Sequence, residues 1–113
     1  MSEDTFVEMR RLLAILPAAA RAQMVAMYRA SLGEQLASLG GLIESGSQAG
    51  PDMLDLSHKI AGSAAMMQDR PLSVAAREME TAVHAGRFDD AVRVWPLVAA
   101  RGRLTLQFLR EAG

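Results

Sequence analysis

The sequence predicts an all-α protein: an antiparallel, up-and-down four-helix bundle with an additional N-terminal helix. Three observations carry this expectation. Strong helix formers, above all Ala, Leu, Met, Arg and Glu, dominate the composition, and β-branched and aromatic residues are few. Apolar residues recur at helical spacing through five segments punctuated by Pro and Gly. Four of those segments are amphipathic and joined by short turns, the pattern of helices that share one core. With 113 residues, half of them hydrophobic, residues 1–113 read as a single domain with ample material for that core.

The first helix is expected over roughly residues 3–15, with Ser2 as N-cap and Pro17 just past its end. The second begins near Pro17 and continues towards Ser45, with Met24, Tyr28, Leu32, Leu39, Leu42 and Ile43 at helical spacing. Gly33 and the Gly40-Gly41 pair weaken it and favour a bend. Residues 45–50 have turn chemistry. Pro51 suits the first position of a third helix running to about Gln68, and Asp52 follows where the helix dipole favours negative charge. The fourth starts at Pro71 with Leu72, Ala75, Ala76, Met79 and Val83 as its apolar stripe, and Gly86 is placed to end it. The fifth covers about residues 89–111, with Phe88, Val92, Trp95, Ala99, Leu106 and Leu109 in register. Pro96 and Gly102 lie inside it, while Leu97, Leu104 and Phe108 fall opposite, so it is expected to kink or be covered on both faces.

Composition also narrows the function classes. Twelve basic and 13 acidic residues give a net charge of −1, which argues against a strongly basic nucleic-acid binder. Arg10, Arg11 and Arg21 are too sparse to change that. The chain has no cysteine, which removes disulfides and thiolate metal sites and fits a reducing cytoplasm. Neither a signal peptide nor an apolar run of the roughly 18 residues a membrane span needs is visible. No nucleotide-binding loop of the P-loop or kinase type occurs. Glu80 and His84 are four apart, but two histidines make a poor metal site, so none is expected. His84, near a helix C-terminus, reads as structural or neutral. The eight methionines read as core filler, Met66 excepted.

On a wheel of about 100° per residue with His58 at zero, Met53, Leu56, Ile60, Ser63, Ala64 and Met67 fall within roughly 50° of the opposite pole. His58 therefore points to solvent. Ser63 lies on the core side, where its hydroxyl is expected to bond back to a helix carbonyl. Around His58, within roughly 60°, lie Leu54, Ala61, Gly62, Ala65 and Asp69. An exposed face usually carries long charged residues, whereas this rim is small and mostly apolar, so a partner can come close. With Met66 on its border, Leu54, Ala61, Ala65 and Asp69 form the expected docking patch. Imidazole suits a carrier's chemistry, because its ring nitrogen is nucleophilic near pH 7 and can take up and release a phosphoryl group. Phosphoryl transfer needs mainly positioning and charge stabilisation, so a carrier requires little beyond an accessible nucleophile.

At these residues the sequence resembles the histidine-containing phosphotransfer (HPt) domains of bacterial two-component phosphorelays. The run Leu56-Ser57-His58-Lys59-Ile60-Ala61-Gly62-Ser63-Ala64 resembles the family's L-x-H-x-L-x-G-S-A signature. Met79-Glu80 followed by Gly86 resembles its downstream L-E pair and glycine, so the two motifs cover roughly residues 54–86. The resemblance implies that His58 carries the phosphoryl group, that Gly62 leaves space for it, and that no cofactor is bound, Mg2+ being supplied by the partner. It implies a hybrid histidine kinase and response-regulator receiver domains as partners, a monomeric cytoplasmic carrier rather than an enzyme, and no nucleic acid or membrane. Many members have Lys or Arg three positions after the histidine, where this chain has Ala61. Lys59, about 100° round the helix, is then the candidate for the phosphate neighbourhood.

Two other readings stay open at this stage. Ser57-His58-Lys59-Ile60 is similar in part to the histidine box of sensor-kinase dimerisation domains. That box, however, has an acidic residue directly after its histidine and a proline soon afterwards. The other is a binding-only helical bundle in which His58 is incidental.

Overall fold

Local sequence accounts for most of the helix ends. Residues 4–46 and 50–112 are described in the computed structural model, and among them the chain forms five helices and no strand. These are α1 (Val7–Ala14), α2 (Ala18–Glu44), α3 (Gly50–Met66), α4 (Arg70–His84) and α5 (Phe88–Ala112). Ser2, the expected first cap, and residues 47–49 of the expected turn lie outside the described residues. Pro17, with its fixed φ and no N–H, stands as N-cap of α2. Asp69 caps α4 by accepting from the Leu72 amide.

α4 ends as expected: Gly86 takes φ +74°, its N–H meets the Val83 carbonyl, and the Arg87 N–H meets that of Ala82. α3 ends earlier than expected, by the same device. Gln68 adopts φ +62° and donates to the Ala65 carbonyl, while Asp69 donates to that of Ala64. The chain therefore turns at a residue that carries no glycine signal.

α3 packs on α4, α4 on α5, α5 on α2, and α2 on α3, so the four long helices enclose the core in a ring. α1 joins that core through Met9 and Leu13, which are buried. Before it, Phe6 stacks on Phe108 of α5 with centroids 4.6 Å apart. No helix among the described residues is long and apolar enough to cross a membrane.

The residues expected to weaken α2 and α5 do not interrupt either helix. α2 runs without a break through Gly33, Gly40 and Gly41, and α5 runs through Pro96 and Gly102. The glycines serve close approach. A Cβ on Gly102 would lie 2.5 Å from Leu36 Cδ1, and one on Gly40 would lie 3.1 Å from Trp95, so α2 and α5 meet where side chains are missing. The buried stripe of α5 is also rotated. Arg101, Thr105 and Phe108 are inside, whereas Val92, Leu97 and Leu104 are exposed, so α5 is not covered on both faces.

Arg101 and Thr105 turn inward because Asp69 is there to receive them. Asp69 has no exposed surface. Its Oδ1 accepts from Arg101 Nε at 2.9 Å, and Oδ2 accepts from the Thr105 hydroxyl. Arg101 also donates to the Thr5 hydroxyl and carbonyl and lies 4.0 Å from the centroid of the Phe6 ring.

Candidate functional site

The stripe of α3 that faces the core is centred nearer one flank than the apolar residues suggest. Met53, Ile60, Ala64 and Met67 are buried as expected, but so are Ser57 and Ala61, while Leu56 and Ser63 are only half-buried. Ser57 satisfies its hydroxyl by donating to the Met53 carbonyl at 2.8 Å, so the back-bonding serine is Ser57 where Ser63 was expected. Ser73 of α4 donates to the Ala61 carbonyl across the interface at 3.1 Å. Small side chains at 57, 61 and 73 let the two helices come together on this side.

Two members of the expected docking patch are therefore corrected. Ala61 lies under α4, and Asp69 is the buried anion of the Arg101 network. Leu54 is half-buried, and Ala65 and Met66 are exposed.

His58 stands on the outer face of α3, its side chain 72% exposed, and Glu80 reaches it from α4. Glu80 Oε2 lies 2.6 Å from His58 Nδ1, while the Glu80 side chain itself is only 27% exposed. A carboxylate accepts and a neutral imidazole has one N–H, so Nδ1 is the donor and Nε2 keeps a free lone pair. The pair holds the ring orientation through Nδ1, while the side chain as a whole stays 72% exposed. The Met79–Glu80 motif pointed to this residue, but nothing in its spacing announced a partner 22 positions away.

The pair forms one wall of an open groove between α3 and α4, which is also lined by Pro51, Leu54, Asp55, Thr81 and His84. Lys59 is exposed and bridges to Asp55 at 3.0 Å, one turn back along α3. Gly62 sits one turn beyond His58, and a Cβ there would meet nothing within 4 Å. Unlike Gly40 and Gly102, it is not required by packing; the space beside it is open.

On the other side of α3 a second, apolar groove runs against α2. It is lined by Met24, Met27, Tyr28, Ser63, Met66 and Met67 among others, with Met27 and Met66 largely exposed. Tyr28 is buried at its edge, and its hydroxyl has no partner among the described residues. Burial and the nearby Asp69 carboxylate push its phenol well above the ordinary value. Among the described residues no group of three or more acidic, His or Cys side chains is placed to hold a metal.

The family model described as Hpt domain matches residues 23–111. No curated protein and no solved structure matches the chain.

Proposed function

The chain belongs to the Hpt domain family, whose members are histidine phosphocarriers of two-component phosphorelays, and on that premise we propose that His58 carries the phosphoryl group. The observation that carries this reading is the pairing of an exposed imidazole with Glu80 through Nδ1. In the forward step the Nε2 lone pair attacks the phosphorus of an aspartyl phosphate on a receiver domain. The P–O bond breaks, the aspartate leaves as carboxylate, and an N–P bond forms. Nδ1 keeps its proton, so the ring becomes cationic and Glu80 offsets that charge. The cationic ring is in turn a good leaving group when a second receiver carboxylate attacks. Chemistry of this kind asks the carrier for position and charge, and the divalent ion belongs to the receiver.

Further parts of the reading concern the surroundings. Gly62 keeps the approach open, and Lys59, held by Asp55 before phosphorylation, remains near enough along α3 to share the phosphate neighbourhood. The docking face runs along α3 through Leu54, Ala65 and Met66. Short connections at residues 67–69 and 85–87 favour antiparallel neighbours, hence an up-and-down bundle formed by one chain. Residues 1–113 act as one monomeric domain in the cytoplasm, between a hybrid kinase and a response regulator.

The test is transfer from a phosphorylated receiver. Wild-type protein should acquire an acid-labile, base-stable label, and His58→Gln should acquire none. Equal labelling of the two proteins would remove His58 from the reaction.

A further inference from the structure

One basic side chain beside His58 has no role in the reading above. His84 lies one turn beyond Glu80 on the same face of α4, about 6 Å further along the axis. It is exposed and lines the groove that His58 and Glu80 share. The ion pairs on this face join His58 to Glu80 and Lys59 to Asp55, and neither involves His84.

A phosphoryl group on Nε2 brings about two negative charges into this groove. Its walls already carry the carboxylates of Asp55 and Glu80, of which Lys59 neutralises the first and the cationic ring the second. Ala61, packed under α4, supplies no cation from α3. Of the residues lining the groove, His84 alone adds a basic group beyond His58 itself. Its place at the last residue of α4 also favours positive charge through the helix dipole.

We propose that His84 is a phosphoryl-binding residue of this site besides Lys59, donating an imidazole N–H to an oxygen of the group held on His58. The second histidine thus offers, from the neighbouring helix, the N–H donor that Ala61 cannot provide. The inference rests on His58 being the acceptor, and the experiment separates the two.

Phosphoramidate, a small donor that needs no docking surface, phosphorylates the intact protein while NMR follows the His84 ring protons through a pH titration. The His84 midpoint should rise by about one pH unit when His58 is phosphorylated. His84→Ala should take up phosphate about tenfold more slowly, and His84→Arg should stay within about twofold of wild type. An unchanged His84 midpoint on labelled protein, or wild-type uptake by His84→Ala, overturns the inference and leaves His58 as acceptor. If His58 in the wild-type protein takes no label from phosphoramidate or from a receiver, the reading of His58 fails and this inference falls with it.

Discussion

The 2.6 Å contact between Glu80 Oε2 and His58 Nδ1 joins a half-buried carboxylate to an exposed ring. In the proposed transfer it does two separable things: it orients the ring by accepting from Nδ1, and it places a negative charge where positive charge would develop. Glu80→Gln keeps an acceptor and loses the charge, whereas Glu80→Ala loses both. Initial rates of phosphoryl uptake from a receiver should therefore fall about tenfold in Glu80→Gln and about a hundredfold in Glu80→Ala. Equal rates in all three proteins would reduce the pair to a surface contact worth little. The outward placement of His58 and the open space at Gly62 were legible in the sequence because their motif is local, within two turns of one helix. The contact of Glu80 with His58 was not, because hydrogen bonds between helices leave no mark in either helix's periodicity. Tyr28 was legible as a core residue, but its hydroxyl near Asp69, without a partner among the described residues, was not, for the same reason.

At the scale of one element, α3 shows what a helical wheel resolves and what it misses. The wheel found the outward direction of His58, since Met53, Ile60 and Met67 are large enough to mark a core side. It misplaced the flank, because Ser57 and Ala61 carry almost no hydrophobic weight and yet are what α4 packs upon. The same blindness made Gly40 and Gly102 look like helix breakers, when each is a site of close approach between α2 and α5. Gly62 differs from both and gives a sharp test. With nothing within 4 Å of a Cβ, Gly62→Ala should gain helix propensity and stabilise the protein by about 1 kcal/mol in urea denaturation. The added methyl points into the space read as the phosphoryl approach, so uptake at His58 should slow about tenfold. A variant both more stable and fully active would mean that the glycine serves no phosphoryl group.

Across the whole molecule, one buried network holds together parts of the chain that periodicity treats as separate. Asp69 ends α3, caps α4 and receives Arg101 and Thr105 of α5, and Arg101 extends the network to Thr5 ahead of α1. The sequence offered Asp69 as part of the docking patch because a wheel continued past Gln68 places it on the His58 face. Only the partner 32 positions later makes burial tolerable. Desolvating two charges costs several kcal/mol, so the pair need not add net stability, but either member alone is costly. Arg101→Met should thus lower the unfolding free energy by about 3–5 kcal/mol, because it strands a carboxylate with no exposed surface. Asp69→Asn in that background removes the stranded charge and keeps an acceptor for the Leu72 amide and the Thr105 hydroxyl. The double variant should therefore be more stable than Arg101→Met alone, a non-additivity readable from denaturant midpoints at constant slope. If the double variant is instead the less stable by the sum of the two single costs, Asp69 and Arg101 act independently and the network is only adjacency.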